Sequence, residues 1–462
     1  MIVKVALLNS AKMKYMNNNY QNKNVLVIGL ARSGMAAIKV LSLLGAKISL
    51  SEIKQPNKQE LETLKQLNVD IYDQDMSVFE KNWDLVIKNP GVSPTGAIAK
   101  RLNERNIPII TEIELAYQVS KPQHYIAITG TNGKTTTTTL VYEMLKQAFK
   151  DKALVGGNIG TPLCELVLNH NLMNEEGYYI SLEISNHQLV DIDSFRPQIA
   201  TIINLSPDHL ETMGSLENYY KSKTEVYRNM KNDDIFIFNN DDENIIKYAN
   251  LYPIKSKIQT FSLDNTDTYA YLQDGYIYIN NEKVIPLESI HLVGKHNIQN
   301  TIIAVMVAKA LGINNQDIEI AVSNFKGVEH RIEFVRNLDG VKYYNDSKGT
   351  NTDATITALK AFEKGVILLV GGYEKGLSMS EMKKHLACVK QVIGYGTAGK
   401  RIASDLVDKP IIVTTLDEAV NKAKEISTSG DIVLLSPTTS SFDQYKNYEE
   451  RGKHFKQLVN AL

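Results

Sequence analysis

The stretch YIAITGTNGKTTTTTL constrains the fold most, because a strand-like apolar run, a glycine-containing loop and a helix-like run follow one another directly. Gly130 and Gly133 allow the loop backbone to wrap around an anion. Lys134 can reach a terminal phosphate, and the hydroxyl of Thr135 can hold Mg²⁺. A standard phosphate loop has a glycine where this chain has Ile128. The stretch still predicts a nucleoside triphosphate site on a parallel α/β sheet; the alternative is a threonine-rich helix start.

The chain has 462 residues, which is too long for a single core. Strand-like and helix-like stretches alternate along it, and this alternation predicts parallel sheets covered by helices. We expect three α/β domains in series, each with a mainly parallel sheet, after a leading tail over 1–23. They are a Rossmann-like domain over 24–121, a P-loop ATPase-like domain over 122–326 with a small antiparallel part over 234–293, and a second Rossmann-like domain over 327–462.

Charge and composition argue against several classes of protein. The 51 basic residues balance 52 acidic ones, so a one-sided basic surface for nucleic acid is not expected. No apolar run reaches the roughly 18 residues of a membrane helix, and the lysine-interrupted start lacks the features of a secretory signal. Met13 or Met16 could serve equally as start residues. Cys164 and Cys388 are predicted to be buried thiols. We expect a cytoplasmic monomer.

A second glycine loop, GLARSG over 29–34, follows the first strand and opens a helix. Backbone N–H groups and the helix dipole attract a diphosphate at such a position. Ala31 replaces the middle glycine of the dinucleotide fingerprint, which weakens a match to NAD binding. The loop therefore predicts either a nucleotide-containing ligand or a purely structural turn. Residues expected along the same sheet edge are Arg32, Ser33, Glu52 (in the position of a ribose-binding acid), Asn89, Pro90 and Gly91.

The loop TGTNGKT closely resembles the ATP loop of the Mur ligase family, whose members join amino acids to cell-wall precursors, and that of folylpolyglutamate synthetases. The resemblance implies that ATP phosphorylates a substrate carboxylate and that an incoming amine displaces the phosphate. It also implies Mg²⁺, as two ions, because ATP carries about four negative charges and must meet a carboxylate. The ATP contacts that it implies are Gly130, Thr131, Asn132, Gly133, Lys134, Thr135, Thr136, Asn297, Arg331 and Asp346.

Three later stretches resemble the same family in order. Asn158 in GGNIG and Ser185 in LEISNHQL match precursor contacts, and Glu183 matches a magnesium ligand. His209 resembles a metal-binding histidine, and Lys223 matches a lysine that is carbamylated in several members. Taken alone, His209 would be an ordinary loop residue and Lys223 a solvated helix residue. The resemblance implies the catalytic set Lys134, Glu183, His209 and Lys223, and the metal ligands Thr135, Glu183, His209 and carbamylated Lys223.

The third block resembles the branch of the family that adds D-glutamate. Its stretches GVEHRIE, NDSKGTNTDA, GGYEKG and LLSPTTSSFDQYKNYEERG follow the family order. Read without the resemblance, SFDQY could be a helix N-cap with a hydrophobic anchor. The amino-acid contacts that the resemblance implies are Lys348, Thr350, Lys375, Ser441, Phe442 and Tyr448.

The resemblance implies ATP-dependent joining of D-glutamate to UDP-N-acetylmuramoyl-L-alanine through an acyl-phosphate and a tetrahedral intermediate. The first domain would then bind the UDP part of the precursor, which makes a full NAD fingerprint unnecessary. Closure of the third domain onto the second is expected. Two alternatives stay open: another amide ligase, either a different Mur ligase or a folylpolyglutamate synthetase, and a nucleotide-binding protein without ligase activity.

Overall fold

The computed structural model describes residues 20–207 and 210–462. Most of the predicted leading tail and His209 lie outside the described residues. The helices are α1 (Arg32–Leu43), α2 (Lys58–Gln66), α3 (Ala97–Glu104), α4 (Glu112–Val119), α5 (Lys134–Phe149), α6 (Leu163–Asn169), α7 (Asn186–Leu189), α8 (Leu210–Met213), α9 (Leu216–Thr224), α10 (Glu243–Leu251), α11 (Lys295–Ala310), α12 (Asn315–Asn324), α13 (Thr352–Leu359), α14 (Gly396–Leu406), α15 (Leu416–Ile426) and α16 (Tyr448–Ala461).

The first sheet has strand order β3-β2-β1-β4-β5 and is parallel throughout. Its strands are β1 (Asn24–Ile28), β2 (Lys47–Glu52), β3 (Asp70–Asp73), β4 (Leu85–Lys88) and β5 (Ile109–Ile110). Along β1, Val25 and Val27 contribute to one apolar cluster, while Leu26 and Ile28 contribute to another. Because successive strand residues point to opposite faces, both faces of the sheet are buried.

The second sheet has strand order β14-β13-β12-β11-β10-β9-β6-β8-β7. Its strands are β6 (His124–Thr129), β7 (Ala153–Gly157), β8 (Tyr179–Glu183), β9 (Ile199–Ile202), β10 (Ile235–Asn239), β11 (Lys257–Phe261), β12 (Ala270–Gln273), β13 (Tyr276–Ile279) and β14 (Glu282–Pro286). From β7 through β8, β6, β9 and β10 to β11, each pair of neighbouring strands is parallel, whereas β12 and β13 pair in the antiparallel direction. The predicted antiparallel part is confirmed over a narrower range, because β10 and β11 extend the parallel sheet.

The third sheet has strand order β15-β16-β20-β17-β18-β19. Its strands are β15 (Glu333–Leu338), β16 (Val341–Asn345), β17 (Val366–Gly371), β18 (Val389–Tyr395), β19 (Ile411–Ile412) and β20 (Ile432–Leu435). Its pairs are parallel except for the antiparallel pair of β15 with β16. The α/β class with three mainly parallel sheets in series is therefore confirmed, with an added antiparallel edge strand.

The chain divides into two compact units. One holds the first two sheets, up to Ile285, together with Ile302–Ile318; the other consists of Pro286–Thr301 and Glu319–Leu462. Each unit is described by itself below, and the three domain boundaries drawn from the sequence stay predictions. Among the helices of the described ranges, none combines the length and apolar character that a membrane crossing requires.

Candidate active site

The phosphate loop lies between β6 and α5, and α5 begins at Lys134 as the motif predicts. Gly133 is left-handed, with φ 83°, which an ordinary side chain rarely allows. A Cβ added to Gly130 would lie 3.0 Å from the Cβ of Ile203, so glycine permits close packing against the segment after β9. In the described part of the chain, no side chain caps α5 and its first turn holds no acidic residue. The backbone N–H groups of this turn, which includes Thr135 and Thr136, therefore suit an anion.

Asn204 braces the phosphate loop from the end of β9. Its side chain accepts from the backbone N–H of Asn132 (2.9 Å) and donates to the carbonyl of Asn132 (3.1 Å). The backbone N–H of Thr131 donates to the carbonyl of Asn204 (3.0 Å), and the N–H of Ser206 donates to the hydroxyl of Thr131 (3.0 Å). Asn204 was not predicted to be a site residue, although it begins the stretch that contains His209.

The ammonium of Lys134 folds over the loop that precedes it. Its Nζ donates to the carbonyl oxygens of Gly130 (2.8 Å) and Thr131 (2.7 Å). These contacts place a positive charge against the carbonyl groups of the loop. A bound phosphate would meet a cation that is already in position.

Glu183 ends β8, directly beside β6 in the sheet, with Ile128 as its partner in the register. Its carboxylate is 2% exposed, and Oε1 accepts from the side-chain amide of Asn158 (2.9 Å). Within the described residues, Oε2 is buried without a hydrogen-bond partner. A buried carboxylate oxygen without a donor is costly unless a cation or ligand completes it. This oxygen fits the hard oxygen ligand that Mg²⁺ prefers.

Lys223 is buried on α9, with 1% of its surface exposed, so the alternative of a solvated helix residue is wrong. Its Nζ lies 4.8 Å from the ring centroid of Tyr219, and the Tyr219 hydroxyl donates to the hydroxyl of Thr131 (3.2 Å). Tyr219 therefore connects Lys223 to the phosphate loop. The described residues contain no cluster of three or more His, Cys, Asp or Glu side chains for a metal. His209 lies outside them, so its predicted role as a ligand stays a prediction.

The GLARSG loop forms a tight turn. Gly29 is left-handed, with φ 86°, and a Cβ on Gly34 would lie 2.1 Å from the carbonyl oxygen of Gly29. Glu52 organises this turn, because its Oε2 accepts from the N–H of Leu30 (2.5 Å) and its Oε1 accepts from Ile53 (2.8 Å). Partial burial alone would raise the pKa of Glu52, but these backbone donors outweigh it and the pKa is lowered.

The Asn89-Pro90-Gly91 turn adjoins the GLARSG loop, as the sequence predicts. An ideal Cβ on Gly29 would lie 3.0 Å from the Cβ of Asn89. The turn is closed by the N–H of Val92, which donates to the carbonyl of Asn89 (3.0 Å), and the N–H of Gly91 donates to the Asn89 side chain (3.1 Å). The two loops therefore form one edge of the first sheet.

Arg32 connects this edge to the loop that contains Asn158. Its guanidinium donates to the carbonyl of Gly160 (2.7 Å) and pairs with Glu165 (3.2 Å). Ser33 follows in the half-buried first turn of α1. Ser185 caps α7 in a capping box with Gln188, so its hydroxyl has a structural partner already. The first unit thus brings together the predicted precursor contacts, Glu183 and the phosphate loop.

In the second unit, Asp346 is a buried carboxyl at the end of β16. Its Oδ2 accepts from the hydroxyl of Ser436 (2.7 Å) and its Oδ1 from the N–H of Ile332 (3.2 Å). Burial raises the pKa of Asp346 to about 7, although these hydrogen bonds and the charges of Arg331 and Arg451 oppose the rise. A carboxyl that titrates near neutral pH is typical of a functional site.

Arg331 is exposed and lies between two residues with strained backbone. His330 (φ 64°) and Ile332 (φ 45°) both have a left-handed backbone. This conformation is a true outlier for Ile332, because its side chain is β-branched. The N–H of Lys348 donates to the carbonyl of His330 (3.0 Å), so the strained segment is attached to the loop after β16. The backbone on either side of Arg331 is therefore bonded to Asp346 and Lys348, and the role of Arg331 in nucleotide binding stays a prediction.

Two pairs of the predicted amino-acid contacts lie close together in the second unit. The Nζ of Lys348 lies 5.9 Å from the ring centroid of Tyr448, and the Nζ of Lys375 donates to the carbonyl of Thr350 (3.5 Å). Glu374 shapes the loop of Lys375 by pairing with Arg401 (2.7 Å), which lowers the pKa of Glu374 to about 2. An ion pair therefore holds the loop that contains Lys375.

Ser441 and Phe442 lie in the loop after β20. The carbonyl of Ser441 accepts from the N–H of Tyr445 (2.9 Å) in a turn, whereas Asn447 caps α16. The alternative interpretation of Ser441 as a helix N-cap is therefore wrong. Phe442 is 66% exposed, which is unusual for a large apolar side chain and makes it available to a ligand.

Arg451 is a buried residue that the sequence reading missed. Its guanidinium is fully buried and donates to the hydroxyl (2.9 Å) and carbonyl (2.8 Å) of Ser347 and to the carbonyl of Thr439 (3.2 Å). It joins the loop that contains Lys348 to the loop that precedes Ser441. The signal in the sequence was an arginine among the apolar positions of the last helix.

Asn297 lies in the first turn of α11. Its side chain donates to the carbonyl of Val293 (2.7 Å) and accepts from the amide of Asn300 (3.0 Å). These contacts fix the amide of the residue predicted to read adenine. That role stays a prediction.

Residues 128–308 match the family model described as the Mur ligase middle domain, and residues 330–439 match the Mur ligase, glutamate ligase domain. The UDP-N-acetylmuramoylalanine--D-glutamate ligase of Geobacillus sp. (strain WCH70) is 40% identical over 453 residues, covering 96% of this chain and 98% of that protein. The enzyme of the same name from Bacillus mycoides (strain KBAB4) is 38% identical over 450 residues, covering 96% and 98%.

Two solved structures share the fold. The MurF ligase of Thermotoga maritima in complex with ADP matches with a TM-score of 0.53 and 18% identity, covering 97% of this chain and 98% of that chain. The UDP-N-acetylmuramate-alanine ligase MurC of the same organism matches with a TM-score of 0.52 and 20% identity, covering 95% and 100%.

Proposed function

The chain belongs to the Mur ligase family, and we propose that it joins D-glutamate to UDP-N-acetylmuramoyl-L-alanine with hydrolysis of ATP to ADP and phosphate. It is an ATP-dependent ligase of peptidoglycan precursor synthesis. The choice of D-glutamate rests on one observation: relatives that share 40% identity over nearly the whole chain are named for this amino acid. A cytoplasmic location and a monomer complete the proposal.

The phosphate loop and Lys134 bind the phosphates of ATP in this scheme. Lys134 already lies against the loop carbonyls, so little reorganisation is needed when the γ-phosphate arrives. The residues that would hold Mg²⁺ are Thr135, Glu183, His209 and carbamylated Lys223, and the unpartnered Oε2 of Glu183 supports this assignment. Bound Mg²⁺ would supply charge neutralisation of the phosphate oxygens.

The precursor binds along the edge of the first sheet. The N-terminal turn of α1, with Arg32 and Ser33, receives the diphosphate, and Glu52 holds that turn in shape. The Asn89-Pro90-Gly91 turn lines the same edge. Asn158 and Ser185 contact the muramoyl part, which leads the carboxylate of L-alanine toward Glu183 and the phosphate loop.

The chemistry needs no side-chain nucleophile. The L-alanine carboxylate attacks the γ-phosphorus of ATP, which releases ADP and leaves an acyl phosphate. The amine of D-glutamate, held by Lys348, Thr350, Lys375, Ser441, Phe442 and Tyr448, then adds to the carbonyl carbon after losing a proton. The tetrahedral intermediate expels phosphate and forms the amide. Positioning and charge neutralisation provide the catalysis.

The nucleoside part of ATP is assigned to three residues. Asn297 reads adenine, Asp346 accepts hydrogen bonds from the ribose, and Arg331 contacts the phosphates and ribose. The raised pKa of Asp346 supports a functional position for this carboxyl.

The test is ADP release with UDP-N-acetylmuramoyl-L-alanine and D-glutamate together and separately. Release that requires both substrates is expected. A panel of D-glutamate, L-glutamate, L-lysine and diaminopimelate then identifies the amino acid. Preference for any of the last three would overturn the choice of D-glutamate, and ATP binding without ADP release would overturn a ligase.

A further inference from the structure

Lys88 carries a buried ammonium at the end of β4, immediately before the Asn89-Pro90-Gly91 turn. Its side chain is 1% exposed, and its Nζ lies 2.8 Å from the Oδ2 of Asp191, which is itself mostly buried. The same Nζ donates to the carbonyl of Val92 (3.2 Å), the residue that closes the turn. A buried cation therefore contacts both the turn and a residue far away in the sequence.

Asp191 belongs to the segment that carries Glu183. It follows α7, and α7 begins directly after Ser185. The backbone carbonyl of Asp191 also accepts from the N–H of Thr111 (3.3 Å), which precedes α4. The ion pair thus links the turn of the first sheet to the segment that follows β8, the strand that ends at the buried carboxylate of Glu183.

A second attachment lies just after the turn. The hydroxyls of Ser93 and Thr95 both donate to the carbonyl of Thr212, at 3.1 Å and 2.9 Å. Thr212 lies in α8, which precedes the helix that carries Lys223. The segment 88–95 is therefore attached at one end to the Glu183 segment and at the other to the Lys223 segment.

We propose that Lys88 is a positioning residue for the sugar-nucleotide substrate, holding the Asn89-Pro90-Gly91 turn in register with the residues that activate the substrate carboxylate. The inference rests on the proposed function. A pair that only stabilised the fold would need no donor to the turn itself, whereas Lys88 also donates to Val92. Small displacements of a substrate from its reactive geometry cost large factors in rate, so this bond matters to kcat/KM for the precursor.

Three variants separate positioning from stability. Lys88→Met removes the charge and the donor at nearly constant volume. Lys88→Met/Asp191→Leu replaces the whole pair with apolar side chains, which commonly restores stability to a broken buried pair but leaves Val92 without its donor. Arg101→Met is the control, because it breaks an exposed ion pair with Glu80 (2.6 Å) that belongs, like Lys88, to the domain of the first sheet.

The readouts are the thermal unfolding midpoint, the KM for each substrate, kcat, and direct calorimetric binding of UDP-N-acetylmuramoyl-L-alanine. Lys88→Met is expected to raise the KM for the precursor about tenfold or more, with the KM for ATP unchanged, and to lower the midpoint. The double variant should recover the unfolding midpoint of the wild type but keep the raised KM for the precursor. Arg101→Met should match the wild type in every measurement.

The outcomes are distinguishable from those that test the reaction itself. Wild-type protein without D-glutamate-dependent ADP release contradicts the proposed function. An active wild type with an unchanged precursor KM in the double variant contradicts the role of Lys88, as does a double variant that recovers both the midpoint and the KM. If Lys88→Met does not fold, the double variant decides the matter alone.

Discussion

Two glutamates on α4 illustrate how the hydrogen-bond partners of a buried carboxyl decide its contribution to stability. Glu112 is buried; one carboxyl oxygen accepts from the N–H of Cys164, and the other has no partner among the described residues. Burial raises the pKa of Glu112 from 4.5 to about 7, although the Cys164 hydrogen bonds oppose this. Glu114 is buried too, but its oxygens accept from the N–H groups of Asp193, Ser194 and Phe195.

We predict that Glu112→Gln stabilises the protein at about pH 8 and leaves its stability unchanged at about pH 4.5. The pKa of Glu112 is higher in the folded protein than in the unfolded chain. The contribution of Glu112 to the free energy of unfolding is therefore fully present below pH 4.5 and is lost as the pH rises toward about 7. The shift corresponds to roughly 3 kcal/mol, and the amide removes this loss while keeping an acceptor for Cys164. Thermal unfolding midpoints at the two pH values measure the effect.

Glu114→Gln is the control for this prediction, with the opposite expected sign. Its amide nitrogen would face backbone donors that the carboxylate now satisfies, so the variant should lose roughly 1 to 3 kcal/mol at both pH values. If both variants lose stability at about pH 8, the pKa of Glu112 is not raised in the way that its burial indicates.

Asp346 gives a prediction for nucleotide binding. With a pKa of about 7, its carboxylate is available as a ribose acceptor above that pH and is lost as the pH falls below it. The KM for ATP is therefore expected to rise at about pH 6 relative to about pH 8. Asp346→Asn should have a roughly tenfold higher KM for ATP, since a charge-assisted hydrogen bond is lost. In this variant the KM should also lose the pH dependence that titration of Asp346 causes. The KM for ATP of Asp346→Asn, measured over the same pH range, corrects for titration of ATP itself. Identical pH profiles for the variant and the wild type would contradict the role of Asp346 as a ribose acceptor.

Among the elements, α16 is fitted to the strained segment around Arg331 through a single glycine. A Cβ on Gly452 would lie 2.1 Å from the Nδ1 of His330, whose Nδ1 also contacts the amide of Asn345 (3.0 Å). We predict that Gly452→Ala destabilises the second unit by about 1 to 3 kcal/mol through overpacking, despite the better helix propensity of alanine. The thermal midpoint measures this.

The matched background is His330→Gly, which removes the ring and suits the left-handed backbone at φ 64°. In that background Gly452→Ala should be neutral or stabilising, because only the helix propensity remains. An equal loss in both backgrounds would show that the contact with His330 is not the cause.

The phosphate loop gives a second prediction for an element. Asn204 closes two hydrogen bonds with Asn132, so Asn204→Ala should loosen the loop and raise the KM for ATP about tenfold while the KM for the precursor stays constant. Asn174→Ala removes a comparable bond to Asn171 (2.8 Å) and serves as the control. An unchanged KM for ATP in Asn204→Ala would exclude the bracing role.

The same loop shows how far the sequence could predict the site. The positions of Gly130, Gly133 and Lys134 follow from local chemistry, because a strand, a turn and a helix start lie within a few residues. Asn204 acts on Asn132 from 72 positions away, and Arg451 acts on Ser347 from 104 positions away. Such contacts depend on strand order, which a single sequence does not reveal. Likewise, the burial of Lys223 depends on how α9 packs.

At the scale of the whole molecule, four apolar clusters of the described residues each lie within one of the two compact units. One cluster in the first unit runs through both of its sheets and includes Val27, Ala127 and Leu182. The clusters of the second unit lie on either side of its sheet and include Leu368 and Leu369. Because the first two sheets share a core, we expect them to unfold together, although the sequence assigns them to different domains.

We therefore predict two calorimetric transitions, one for each compact unit, rather than a single two-state transition or one transition for each of the three sheets. Glu112→Gln at about pH 8 should raise only the transition of the first unit, and Gly452→Ala should lower only that of the second, because each substituted residue lies within one unit. Hydrogen exchange followed by mass spectrometry assigns each transition to its residues. A single transition moved by both substitutions would mean that the cores unfold as one. Separate transitions for the first and second sheets would mean that their shared cluster does not couple them.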